Sequence, residues 1–256
     1  MTIHIKNAEE QDKMRAAGKL AAQTLEMLAP HVVAGVTTAA LDKLVYDFTV
    51  AHNAVPATLG YNGFPASCCI SINNVACHGI ADATILQDGD IVNIDVTPKL
   101  DGWHGDTSKM FLIGNVSDED RELCKIAHDA MWAGIRAIEP GRDIKVIGRA
   151  ISLYMVDKPA SIAREYCGHG TGLVFHEEPQ ILHFAFFRTL GKMIPGMTFT
   201  IEPIINSGSS ETVTSEIDDW TVTTVDGSKS AQWEHTILIT EDGYEILTLR
   251  EEEDNE

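Results

Sequence analysis

The sequence predicts a mixed α/β (α+β) fold of two similar halves around one site, and three observations carry that expectation. The order helix, helix, strands occurs twice along the chain. Gly35-Val-Thr-Thr-Ala-Ala-Leu41 and Gly141-Arg-Asp-Ile-Lys-Val-Ile147 share a layout of glycine, cap and apolar spacing, offset by 106 residues. No Gly/Ser-rich or Pro-rich linker separates the halves, as it often does between independent domains. We therefore expect one domain over residues 1–250, with halves of about 1–115 and 116–250.

Taken in order, Asn7-Ala-Glu-Glu10 has the form of a capping box, and Met14, Ala17, Leu20, Ala21, Leu25 and Leu28 recur at helical spacing. A long helix should end near Pro30. Thr37 or Thr38 caps a second through Leu41, Leu44, Val45 and Phe48. Residues 48–81 hold no Asp, Glu, Lys or Arg, yet Pro56, Gly60, Asn62, Gly63, Pro65, Asn73 and Asn74 break any membrane helix. This stretch reads as turns and short strands that are buried or line a pocket, notably Cys69 to Asn73. Ile91 to Thr97 and Trp103 to Ile113 read as a hairpin. In the second half Ser117 opens a helix through Ile138, Pro140-Gly141 ends it, and Asp143 opens another through Tyr154. Strands follow at Thr198 to Asn206, Asp219 to Thr224, Ser230 to Thr240 and Tyr244 to Leu249. The remaining residues, 251–256, are five acids and one Asn, expected to be a disordered tail.

Composition excludes several classes. The 256 residues carry 38 acids against 19 bases, a net charge of −19, which is the wrong sign for stable nucleic-acid binding. Five cysteines (Cys68, Cys69, Cys77, Cys124 and Cys167) form no Cys-x-x-Cys pair, so neither a disulfide framework nor a zinc ribbon is indicated. A reduced, cytoplasmic setting fits, and Met1 to Asn7 lacks the apolar core of a signal peptide.

The hairpin places two carboxylates together. With a two-residue turn at Leu100-Asp101, Asp95 and Asp106 face each other directly; with the turn at Asp101-Gly102 they are diagonal neighbours on one face. On the hairpin alone, one turn residue and one solvated strand residue is the simpler account. Glu202 in Phe199-Thr-Ile-Glu-Pro-Ile-Ile205 and Glu234 in Ala231-Gln-Trp-Glu-His-Thr-Ile-Leu-Ile239 change that balance, because each interrupts an apolar strand where an unpaired carboxylate is costly. No cationic side chain sits in either strand core, so metal ligation is the better joint account. His78 and His169 lie beside glycines, and His176 ends the run from Tyr166. The glycine run has no dinucleotide spacing, no phosphate-loop motif occurs, and His176-Glu177-Glu178-Pro179 is not His-Glu-x-x-His.

These residues carry a resemblance. Cys77-His78-Gly79, Asn93-Ile-Asp95-Val96, Gly105-Asp106-Thr107, Gly168-His169-Gly170, Phe175-His176-Glu-Glu-Pro179, Thr200-Ile-Glu202-Pro203 and Gln232-Trp-Glu234-His-Thr236 occur in the order and spacing of type I methionine aminopeptidases. The chain resembles their short bacterial form, without an N-terminal zinc-binding extension or a long helical insertion between His169 and Glu234. The resemblance implies the pita-bread fold around a dinuclear metal centre of Asp95, Asp106, His169, Glu202 and Glu234, with Asp106 and Glu234 bridging. Two divalent ions (Co, Mn, Fe or Zn) suit this oxygen-rich set. They would lower the pKa of a shared water, whose hydroxide attacks the first peptide carbonyl.

The resemblance further implies that Glu202 shuttles the proton, that His176 stabilises the oxyanion and that His78 contacts the substrate amide. The same resemblance implies that Tyr61, Phe64, Cys69, Phe175 and Trp220 line the side-chain pocket. Thr58, Phe64, Thr171 and Ala81 depart from common family residues near the site. A monovalent-cation site near Asn73, Val75 and Ser230 is also implied. The expected substrates are N-terminal Met peptides and nascent chains with small second residues, cleaved by a cytoplasmic monomer with no membrane attachment and at most transient ribosome contact. Two competing readings are a pita-bread binding module and an exopeptidase acting on X-Pro bonds.

Overall fold

The computed structural model describes residues 3–253. Helix α1 (Ala8–Leu28) starts as expected: the Asn7 side chain accepts from the Glu10 N–H while the Glu10 carboxylate accepts from the Asn7 N–H. Pro30 falls in a 3-10 turn, Ala29–His31, that ends it. Helix α2 (Thr38–Ala51) is capped by Thr37, and α3 (Asp118–Arg136) by Ser117. Helix α4 (Lys145–Tyr154) follows Asp143, whose carboxylate accepts from the Lys145 N–H at 3.0 Å.

In the first half, α1 and α2 turn Leu25, Leu28, Leu41 and Val45 onto Ile70, Val92, Ile94 and Phe111. These come from the antiparallel strands Cys69–Ile72, Ile91–Val96 and Thr107–Leu112. In the second half, Ile126, Ala130 and Ile147 of α3 and α4 pack on Phe199, Ile201, Ile237 and Ile239. The matching sheet runs Glu177–Ile181, Gly168–Gly170, Thr198–Ile201, His235–Ile239 and Tyr244–Ile246. The weak repeat corresponds to equal main-chain bonds: Gly35 N–H donates to Leu86 O and Gly141 N–H to Met193 O, both at 2.8 Å. Both glycines have positive φ (+92° and +83°), a region that carries little penalty only without a Cβ. The halves join at a bridge between Ser108 and Glu234, where the Glu234 N–H donates to Ser108 O at 3.1 Å.

Of the two turns open to the hairpin, the structure takes Asp101-Gly102. Both residues have positive φ (+49° and +91°), the backbone of a tight two-residue turn. Lys99 pairs with His104 and Asp95 with Ser108, so Asp95 and Asp106 are diagonal neighbours. The strand expected over Thr198 to Asn206 is split, because Glu202-Pro203 stands between Thr198–Ile201 and Ile204–Asn206. Proline cannot donate to a ladder.

The acidic tail is a correction. Glu251–Glu253 forms a 3-10 turn, and Glu253 is buried against Arg250 rather than solvated. Residues 254–256 lie outside the described chain. All five cysteines are free thiols. Among the described residues no helix is long and apolar enough to cross a membrane.

Candidate metal centre and substrate pocket

Asp95 is the penultimate residue of the strand Ile91–Val96, and Asp106 immediately precedes Thr107–Leu112. His169 lies mid-strand in Gly168–Gly170, Glu202 just beyond Thr198–Ile201, and Glu234 between Ser230–Gln232 and His235–Ile239. Sheets from both halves thus deliver five side chains to one cavity of about 380 Å³. Close packing keeps them there: a Cβ on Gly168 would lie 2.3 Å from Thr200 O, and one on Gly105 would lie 2.2 Å from Ala17 O.

His169 Nδ1 is 3.0 Å from Gly170 O, so Nδ1 carries the proton and the Nε2 lone pair faces the carboxylates. Nε2 lies 3.5 Å from Asp106 Oδ2 and 3.6 Å from Glu202 Oε1. Ligand atoms of Asp106, His169 and Glu234 all fall within 4.8 Å of one another. Burial, with repulsion from neighbouring carboxylates, pushes Asp95 and Glu234 well above the usual carboxylate range. Burial also raises Asp106 to about 7 against a Thr97 hydrogen bond, and raises Glu202 to about 8. It lowers His169 to about 4, so that imidazole is neutral at pH 7.

Such a set asks for external positive charge. Asp95 Oδ1 is buried with no hydrogen-bond partner. Among the described residues, no lysine or arginine forms an ion pair with any of the four carboxylates. A neutral imidazole and four carboxylates fit a divalent cation, and burial holds the cavity-lining Cys69, Cys77 and Cys167 as thiols rather than the thiolates of structural zinc.

The other expected site residues line the same cavity: His78, His176, Tyr61, Phe64, Cys69, Phe175 and Trp220. Tyr61 OH is 2.8 Å from His176 Nδ1, and its ring lies 4.9 Å from Phe175. Phe64 meets Trp220 edge-on at 5.2 Å, and His78 meets Trp220 at 5.9 Å. Thr58 also lines the cavity, Thr171 is fully buried, and Ala81 packs beside the Phe64 cluster. At the place read as a monovalent-cation site, Asn73 O accepts from the Ser230 N–H at 2.8 Å.

Sequence reasoning missed the residues that hold the ligands. Thr97 Oγ1 donates to Asp106 Oδ1 at 2.7 Å, Thr200 Oγ1 to Glu202 Oε1 at 2.6 Å, and Gln232 Nε2 to Glu202 Oε2 at 3.2 Å. A signal was present, since Thr97, Thr200 and Gln232 each stand two residues from an expected ligand, the spacing that shares a strand face. Tyr166, edge-on to His78 at 5.6 Å, and His183, which accepts from the Glu202 N–H at 3.1 Å, carried no comparable signal.

The model of metallopeptidase family M24 matches residues 12–241. The chain belongs to that family. Among M24 relatives, it is 51% identical to a methionine aminopeptidase of Escherichia coli K12 over 99% of this chain and 96% of that one. The crystal structure of a methionine aminopeptidase from Rickettsia prowazekii superposes with a TM-score of 0.95 at 50% identity, covering 97% of this chain and 100% of that one. A prolidase from Pyrococcus furiosus shares the fold at a TM-score of 0.75 and 21% identity, with this chain spanning 66% of its length. The M24 fold is the pita bread, and its two α/β halves are those joined at Ser108 and Glu234.

Proposed function

We infer that the chain is a metal-dependent exopeptidase that removes the N-terminal methionine from peptides and nascent proteins. One observation carries this reading: five side chains of metal-ligating type, four of them carboxylates that pair with no lysine or arginine among the described residues, share one cavity with an aromatic and sulfur-bearing wall. The identity to methionine aminopeptidases supports it. Asp95, Asp106, His169, Glu202 and Glu234 would hold two divalent ions. Such ions supply Lewis acidity and make water acidic enough to react near neutral pH.

The chain's own groups do the rest. Glu202, held by Thr200 Oγ1 and Gln232 Nε2 at the cavity wall, is the carboxyl placed to take up and return a proton. The Tyr61 hydroxyl, 2.8 Å from His176 Nδ1, orients the imidazole and leaves Nε2 free to meet an oxygen that gains negative charge. Burial keeps His78 neutral, leaving one N–H for the substrate amide. Tyr61, Phe64, Cys69, Phe175 and Trp220 give the unbranched thioether apolar and polarisable contacts.

A preference for small second residues, the choice among Co, Mn, Fe and Zn, a monovalent cation near Asn73, Val75 and Ser230, a cytoplasmic monomer and transient ribosome contact belong to this proposal. Free methionine release from Met-Ala-Ser, against Leu-Ala-Ser and an X-Pro dipeptide, tests it. Selective cleavage of the first peptide is expected; preferred X-Pro cleavage would move the chain to the prolidase class, and binding without cleavage to a binding module.

A further inference from the structure

Lys6 lies in the segment before α1, far in sequence from any site residue, yet it is 2% exposed. Its ammonium pairs with the Glu177 carboxylate and donates to His4 O at 3.2 Å. The surrounding backbone is shaped to admit it. A Cβ on Gly172 would lie 2.8 Å from Lys6 Cε, and one on Gly196 would lie 2.6 Å from Lys6 O. The Lys6 N–H donates to Gly196 O at 2.8 Å, and Lys6 O accepts from Gln11 at 2.8 Å.

Glu177 directly follows His176 and pairs with Gly170, the neighbour of His169. Between those strands runs a short loop carrying Phe175 and His176. His104 secures its start, with Nδ1 2.7 Å from Gly172 O and its ring stacked on Phe175 at 5.5 Å. Lys6 secures both Gly172, by contact, and Glu177, by charge. A buried ion pair adds little net stability, but separating its partners is costly because each charge is then left buried and unpaired.

We propose that Lys6 is a positioning residue for His176: through Glu177 it fixes the loop that aims the imidazole into the cavity. This rests on the role given to His176 above. The test is Lys6→Met with Glu177→Gln, which removes both charges together, measured in the metal-loaded full chain and repeated in a His176→Ala background. Because misplacement by about 1 Å can cost on the order of 10²-fold, kcat should fall roughly ten- to hundredfold in the parent but less than about twofold beside His176→Ala. KM and the metal Kd from calorimetry should stay within about twofold in both. In NMR spectra, the ring resonance absent from His176→Ala should shift in the pair variant.

Equal loss of kcat in both backgrounds, no loss, or an unmoved His176 resonance would overturn the proposal. Should the pair variant not fold, Glu177→Gln alone, which still offers Lys6 an oxygen, carries the same comparison. A parent that releases no methionine would refute the proposed activity instead, and the resonance shift would then decide the positioning role by itself.

Discussion

Replacing Glu253 by alanine should be among the more destabilising changes near the C-terminus, although composition alone places this residue in a solvated acidic run. Its Oε1 accepts from Arg250 Nη2 at 2.6 Å and lies 3.3 Å from His235 Nε2; its Oε2 accepts from the Arg250 N–H at 3.2 Å. Arg250 is 1% exposed. Burial opposes ionisation of Glu253, yet the His235 hydrogen bond and the Arg250 charge hold its carboxyl down at about 2. Burial keeps His235 neutral, so Arg250 is the ionic partner.

In Glu253→Ala the guanidinium loses that buried partner and keeps the Thr107 hydroxyl at 3.1 Å and, 3.5 Å from Nε, the half-exposed Glu252 carboxylate, which places the cost at the lower end of the range that follows. Breaking a buried pair from one side costs about 3–5 kcal/mol. At about 2–4 °C per kcal/mol for a chain of this size, Tm should drop by roughly 6–20 °C. Thermal unfolding followed by tryptophan fluorescence reads it, since the Arg250 guanidinium lies 5.6 Å from the Trp233 ring. Glu251→Ala, at an exposed position, should cost less than about 1 kcal/mol. A depressed carboxyl stabilises above its unfolded value near 4.5 and loses that contribution as pH falls toward 2. The difference between parent and variant should therefore persist at pH 6 and shrink in acid. Equal stability of Glu253→Ala and Glu251→Ala at pH 7 would refute the reasoning.

Two further expectations concern the site. In chelator-stripped protein, Asp106 at about 7 and Glu202 at about 8 keep protons that the unfolded chain releases near pH 4, so the stability these groups contribute should fall as pH rises from about 4 and level off above about 8. Calorimetric scans should show this slope without metal and lose most of it with Mn; a metal-free Tm that rises over this range would contradict the reading. His78→Ala and His176→Ala should each lower kcat by about 10²- to 10³-fold while metal content by elemental analysis stays at the parent level; parallel metal loss would make them ligands.

What the sequence disclosed depended on how local the signal was. The Asn7–Glu10 box, the Ser117 cap and the apolar spacing of α1 are readable because cap and helix lie within a few residues. The ligands were readable because a carboxylate inside an apolar strand is costly enough to need a reason, as at Glu202 and Glu234. The hairpin register stayed open between two turns, because Leu100-Asp101 and Asp101-Gly102 both supply turn residues; only the positive φ at Asp101 and Gly102 decides. Glu253 was misread since composition cannot show that Arg250 and His235 wait beneath it. Lys6 resembles any surface lysine in sequence, and its partner is 171 residues away. Distant pairing of this kind leaves no periodicity to read.

The most direct test of the central claim is a titration of chelator-stripped protein with Co, Mn, Fe and Zn, with methionine release from Met-Ala-Ser and bound ions per chain followed together. Activity should return as metal binds, saturate at two ions and be lost in Glu202→Ala. Two bound ions per chain without methionine release under any metal would contradict the account.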